Sequence, residues 1–129
     1  MTASSLARIL VIDDAAVVRL YHRQILERAG HVVAEAVNGM DAMEKLLLEP
    51  FDLCIVDVNM PVMDGYAFLH ALRATPDVNS LPALMISTEA GQVDRDQALA
   101  AGANAYLIKP VPPPTLSQYA AAMTGAGPS

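Results

Sequence analysis

Four short apolar runs in this chain each end on a residue that can handle charge, and the stretches between them repeat apolar positions at helical spacing. Ile9-Leu10-Val11-Ile12 stops at Asp13-Asp14, and Leu53-Cys54-Ile55-Val56 stops at Asp57. Ala83-Leu84-Met85-Ile86 stops at Ser87, and Tyr106-Leu107-Ile108 stops at Lys109-Pro110. A continuous apolar run bounded by turn signals is the pattern of a strand buried on both faces, as in parallel sheets. Val32 to Ala36 supplies one more short strand. Val18, Tyr21, Ile25 and Ala29 stand three and four residues apart, predicting a helix over Ala15 to Ala29 that Gly30 stops. Ala42, Met43, Leu46 and Leu47 mark one face of a second helix, opened by Asn38-Gly39 and ended by Pro50. Tyr66 to Ala74 and Val93 to Ala101 give the third and fourth, and Pro110 to Pro114 delay the fifth until Thr115 to Met123. Alternating strand and helix signals predict an α/β fold with right-handed crossovers.

If the strands are parallel, their carboxyl ends share one edge, and Asp13, Asp14, Asp57, Ser87 and Lys109 meet in the crevice where open α/β sheets bind ligands. Carboxylates gathered there repel by up to ~4 kcal/mol per close pair at a surface-like dielectric. A hard cation with oxygen ligands relieves that repulsion, and Mg²⁺ suits a site of one or two protein carboxylates, waters and a phosphate. The plainer reading of Asp13-Asp14 is a helix cap, and a lone strand-end Asp such as Asp57 is commonly a turn residue. Taken as a constellation, Asp57 reads as a nucleophile that captures a phosphoryl group as an acyl phosphate. The cation and Lys109 would neutralise charge in the transfer, and Ser87 would donate a hydrogen bond.

At 129 residues the chain has the size of one domain: a unit over 1–129 with its core at about 6–123, a leader at 1–5 and a flexible tail at 124–129. The net charge of −6 leaves no basic patch for nucleic acid or an anionic membrane. No apolar stretch approaches the ~18 residues of a membrane span, and no signal pattern opens the chain, so a cytoplasmic protein is expected. With 53% hydrophobic residues and no Trp, the core is aliphatic, with Met as gap-filler. Cys54 is the one cysteine and reads as a buried, inert thiol. His22, His31 and His70 lack ligand spacing, and His22 is expected to be partly buried. A flavin phosphate would be repelled by Asp13-Asp14, and no glycine-rich phosphate loop follows the first strand.

Val11-Ile12-Asp13-Asp14, the segment Asp57-Val58-Asn59-Met60-Pro61-Val62-Met63-Asp64-Gly65, Ile86-Ser87, and Gly102-Ala103 followed by Tyr106-Leu107-Ile108-Lys109-Pro110 together resemble the receiver domain of two-component response regulators. The resemblance runs from about Leu6 to Met123. It is nearest to the single-domain, CheY-like chemotaxis regulators, which share Asn59, Glu89 and Tyr106. It implies a flavodoxin-like, doubly wound (βα)5 sandwich whose five-stranded parallel sheet runs in the order 2-1-3-4-5, an order carried over from the resemblance rather than from periodicity.

The resemblance further implies that Asp57 takes a phosphoryl group from a histidine kinase, with Mg²⁺ held by Asp14, Asp57 and the Asn59 backbone carbonyl and with Asp13 on a metal-bound water. Ser87 and Lys109 would contact the phosphoryl oxygens, and Lys109-Pro110 would be a cis peptide. Asn59, Thr88 and Glu89 would modulate phosphoryl lifetime. Ser87 and Tyr106 would switch the surface of the fourth helix, fifth strand and fifth helix for a protein target or self-association. Such a chain is no enzyme in its own right, although it supports its own phosphorylation and hydrolysis. The alternatives are a phosphate sink or relay without an output partner, and the receiver domain of a longer regulator. The uncharged last helix, and Gln92 where the chemotaxis pattern has Lys, depart from a motor-docking surface.

Overall fold

A computed structural model describes residues 7–125; the expected leader at 1–5 and most of the expected tail, 126–129, lie outside the described residues. Its elements alternate as β1 (Arg8–Ile12), α1 (Ala16–Arg28), β2 (Val32–Ala36), α2 (Gly39–Leu48), β3 (Leu53–Asp57), α3 (Gly65–Arg73), β4 (Ala83–Ser87), α4 (Gln92–Ala101), β5 (Ala105–Ile108) and α5 (Pro113–Thr124). The five strands pair in parallel in the order β2-β1-β3-β4-β5, the order that the resemblance implied. Both faces of the sheet are covered, which is why its strands read as unbroken apolar runs.

Alternate residues of each strand feed two cores. Leu10, Ile12, Cys54, Val56 and Met85 pack with Ala42 and Leu46 of α2, Phe68, Leu69 and Leu72 of α3, and Ala98 of α4. Ile9, Val11, Leu53, Ile55, Leu84 and Ile86 pack with Ile25 and Leu26 of α1 and Leu116 and Ala120 of α5.

Helix α5 begins at Pro113, two residues earlier than the proline run suggested, because Pro113 and Pro114 occupy the first turn, where a missing N–H costs nothing. It continues through Thr124, whose hydroxyl donates to the Ala120 carbonyl, so the tail does not start there. The buried face of α1 is His22, Ile25 and Leu26. Tyr21 is 38% exposed and Ala29 is also exposed, so the apolar stripe read from spacing sits about one residue off the true one. Leu47, counted in the inner face of α2, is 58% exposed.

Two features brace the sheet edges. At the N-terminal edge, the Arg73 guanidinium donates to the carbonyls of Asn79, Leu81 and Gly102 and to Asn104 Oδ1, tying α3 to the end of α4. Gly102 lies at φ +118 against that side chain, a conformation that favours glycine. At the carboxyl edge, Gly65 opens α3 directly over β3. A Cβ there would lie 2.3 Å from the Asp57 carbonyl oxygen and 3.0 Å from Val58 Cα. Gly65→Ala is therefore expected to force the β3–α3 junction apart and to destabilise by about 1–3 kcal/mol or more. A fall in the urea midpoint with unchanged m checks this; an unchanged midpoint would refute it.

Candidate functional site

Strand register assembles the site. Ile12 pairs with Val56, so Asp13 and Asp57 follow side by side. Asp57 pairs with Ile86 and Ser87 pairs with Ile108, so Asp57, Ser87 and Lys109 step across three neighbouring strand ends. The loop after Asp57 is held tightly: Gly65 N–H donates to the Val58 carbonyl, Gly39 N–H to that of Met63, and Met63 N–H to that of Pro61 at 2.7 Å. The last bond closes a three-residue turn with Val62 at φ +70. A β-branched residue in that region is strained by about 1–3 kcal/mol.

Asp13, Asp14 and Asp57 each present a carboxylate oxygen within 4.8 Å of the others. Asp57 is 7% and Asp13 2% exposed, whereas Asp14 is open to solvent. Lys109 Nζ donates to Asp57 Oδ1 at 2.7 Å and to Asp13 Oδ2 at 3.1 Å. Asp57 Oδ2 accepts from no donor among the described residues.

Burial raises the pKa of Asp57 above the ordinary carboxylate range; the bond from Lys109 opposes the rise, and the charges of Asp13 and Asp14 add to it. Burial pulls the Lys109 ammonium down, but its bonds to Asp57 and Asp13 outweigh that and leave its pKa raised. Both partners of one ion pair thus shift upward, and the asymmetry is physical. Lys109 is served by two carboxylates, whereas Asp57 shares one ammonium with its anionic neighbours.

The donor set is hard oxygen with an uncompensated negative charge, which fits Mg²⁺. Among the described residues, the acidic group able to hold a metal comprises these three aspartates alone. None of the three histidines joins it. His22 and His31 are buried, and burial lowers the pKa of each. His22 is thus more deeply placed than its position in the sequence suggested. Cys54 is buried, and burial pushes its thiol up to about 12.

Ser87 is buried, and its Oγ accepts from the Glu89 N–H at 3.1 Å, leaving the hydroxyl hydrogen free to donate. Tyr106 is buried, and its hydroxyl donates to the Glu89 carbonyl at 2.6 Å. Arg95 lies over its ring at 5.4 Å. Glu89 thus joins Ser87 to Tyr106 through its own main chain. Asn59, two residues past Asp57, and Thr88 and Glu89, directly after Ser87, are exposed. The Lys109–Pro110 peptide is cis, and Lys109 N–H donates to the Ser87 carbonyl at 2.8 Å.

Asp13-Asp14 does not cap α1, whose N-cap is Ala15 without a side-chain bond. Instead Asp13 Oδ1 accepts from Ala15 N–H at 2.9 Å. Two residues absent from the sequence reading stand behind this turn. Arg19 donates from Nη1 to the Asp13 carbonyl at 2.7 Å and from Nε to Glu35 Oε1 at 2.8 Å. The signal for them was a pair of charges facing the sheet from α1 and β2, invisible to a search for apolar spacing.

The chain's residues 9–121 match the family described as the response regulator receiver domain. A gliding motility regulatory protein of Myxococcus xanthus is 36% identical over 83% of this chain, which spans only 14% of that protein's length. A chemotaxis protein CheY homolog of Campylobacter jejuni is 34% identical over 93% of this chain and 94% of its own. Among solved structures, the chemotaxis response regulator CheY4 of Vibrio cholerae superposes with a TM-score of 0.86 at 35% identity, covering 92% of this chain and 98% of that one. The receiver domain of a Pseudomonas aeruginosa sensor histidine kinase, solved with a magnesium ion in its active-site cleft, superposes with a TM-score of 0.85 at 28% identity over 92% of this chain and 98% of its own.

The raised pKa of Asp57 makes a signed prediction. The folded state holds the Asp57 proton more tightly than the unfolded chain, whose carboxyl titrates near ~3.9. Stability contributed by this group therefore falls as pH rises from that value through the folded-state pKa. Asp57→Asn should be more stable than the parent at neutral pH in the absence of divalent ions, and the two should converge on acidification below about pH 4. Thermal midpoints across that range check it; a variant less stable at neutral pH would count against the assignment of strain to Asp57.

Proposed function

This chain belongs to the response regulator receiver domain family of two-component signalling, and on that premise we propose that Asp57 is its phosphoacceptor, served by a histidine kinase. The observation that carries the reading is a buried carboxylate with one oxygen bound by Lys109 and the other bound by no described donor, flanked by two further carboxylates. The unbonded oxygen attacks phosphorus, an O–P bond forms as the N–P bond of the phosphohistidine breaks, and the departing imidazole keeps the electron pair and takes a proton from solvent. Asp13, Asp14, Asp57 and the Asn59 carbonyl would hold Mg²⁺, which supplies positive charge to the phosphoryl oxygens.

Lys109 uses two of its three N–H donors on Asp57 and Asp13; the third, with the free hydroxyl hydrogen of Ser87, is available to the phosphoryl group. Asn59, Thr88 and Glu89, exposed close in sequence to Asp57 and Ser87, would modulate the lifetime of the acyl phosphate. In this reading the chain supports its own phosphorylation and the hydrolysis of its own acyl phosphate and is no enzyme in its own right.

Ser87 drawn toward the phosphoryl group withdraws the acceptor of the Glu89 N–H, and the Glu89 carbonyl is the acceptor of Tyr106. That is the route by which phosphorylation would reshape the α4-β5-α5 surface. Val93 and Leu99 of α4 and Tyr119 of α5 are exposed there, and α5 carries no charge. An uncharged α5 beside exposed Val93 and Leu99 suits a protein target or a second copy, while Asp94, Arg95 and Asp96 leave α4 itself charged. We read the chain as a cytoplasmic receiver in a chemotaxis-like pathway; if no phosphorylation-dependent partner is found, the sink or relay reading takes its place.

Two outcomes test this. Native mass spectrometry with Mg²⁺ and acetyl phosphate should show one phosphoryl group per chain, absent from Asp57→Asn; equal labelling of that variant would remove Asp57 from its role. Mg²⁺ alone should raise the thermal midpoint, by about 2.7 kcal/mol of stabilisation at one hundred times its Kd, and the gain should shrink in Asp57→Asn.

A further inference from the structure

We propose that Arg19, anchored by Glu35, is a positioning residue for the acidic site: its guanidinium fixes the main chain at Asp13 and thereby the aim of the Asp13 and Asp14 carboxylates. The proposal rests on the magnesium-binding reading above and concerns how this chain builds that site.

Asp13 is held at every polar group. Its N–H donates to the Ala36 carbonyl at 3.1 Å, its carbonyl accepts from Arg19, its Oδ1 accepts from Ala15 N–H, and its Oδ2 accepts from Lys109. The first of these follows from the sheet, and the two carboxylate bonds depend on which way the turn points. The bond from Arg19 is the one bond to the main chain of that turn from a side chain outside it among the described residues, and α1 has no side-chain N-cap to share its role. The clamp is itself anchored. Glu35 accepts from Arg19 Nε at 2.8 Å and from Arg23 Nη1 at 2.7 Å, and these two bonds hold its pKa below the usual carboxylate range. The Arg19 side chain is 14% exposed, so water does not readily replace it.

The geometry needs a fork. One planar guanidinium reaches a carboxylate on β2 and a carbonyl at the end of β1 together, which a lysine's single ammonium on a flexible stem does not reproduce. Positioning also opposes simple electrostatics. A positive charge beside an anionic pocket repels a cation, so removing it should tighten Mg²⁺ binding if charge is all that Arg19 contributes.

The test is calorimetric titration of Mg²⁺, without phosphodonor, into the parent chain, Arg19→Lys, Arg19→Gln, Glu35→Gln and the Arg19→Gln/Glu35→Gln double variant. Amide hydrogen exchange at Ala15, with Ile55 in the sheet core as reference, accompanies it. Both Arg19 variants should weaken Mg²⁺ binding about tenfold or more, the usual consequence of losing an outer partner of a metal ligand. The double variant should bind no worse than Arg19→Gln alone, because the two residues act as one unit. Ala15 exchange should quicken in Arg19→Lys while Ile55 stays unchanged, which separates local loosening from lost stability. Tighter binding in Arg19→Gln with unaltered binding in Arg19→Lys would overturn the proposal. If the parent bound no Mg²⁺, the metal reading of the site would fail. Ala15 exchange would still decide whether Arg19 holds the turn: unchanged exchange in Arg19→Lys would end the proposal on its own.

Discussion

Three carboxylates meet at the carboxyl edge of the sheet with a single ammonium, that of Lys109, among them, and much of the molecule is arranged around that imbalance. The strands that carry the site, β1, β3, β4 and β5, are apolar on both faces, so their charged groups stand at the strand ends. Placing Asp13, Asp14 and Asp57 within 4.8 Å costs up to ~4 kcal/mol per close pair at a surface-like dielectric, and Lys109 reaches only two of them. The remaining deficit of positive charge gives the pocket its appetite for a hard cation. An acyl phosphate adds negative charge to the same crevice, so the cation, Lys109 and Ser87 would be needed more after transfer than before it. The rigid parts around the crevice resist its collapse. Gly65 lets α3 start against β3, the turn at Val62 folds the loop back, and Arg73 braces the opposite edge.

The sheet was legible in the sequence because burial on both faces leaves unbroken apolar runs, and a run's end is marked by the charge that follows it. Asp13, Asp57, Ser87 and Lys109 could be placed on one edge by that rule alone. The helices were less legible. Periodicity put Tyr21 and Leu47 inside, whereas a short α1 face built on His22, Ile25 and Leu26 leaves Tyr21 half outside, donating its hydroxyl to the Val111 carbonyl. Proline was read as a barrier before α5, although at the first turn of a helix it obstructs nothing. Arg19, Glu35 and Arg73 escaped notice for a common reason. Each acts on main-chain carbonyls or on a charge from a distant element, and no local pattern announces a partner that only the folded chain brings near.

Glu89 has a consequence beyond the switching route. Its link between Ser87 and Tyr106 uses the N–H and the carbonyl, while its side chain lies exposed. Coupling written in main-chain atoms is indifferent to side-chain identity, so most substitutions at position 89 would leave the two residues it joins connected. Proline alone among the standard residues lacks the N–H that the link requires. An inserted or deleted residue between Ser87 and Glu89 would break the span outright. The segment is therefore tolerant in composition and intolerant in length: the connection between Ser87 and Tyr106 is fixed by the count of residues between them and not by what their side chains are.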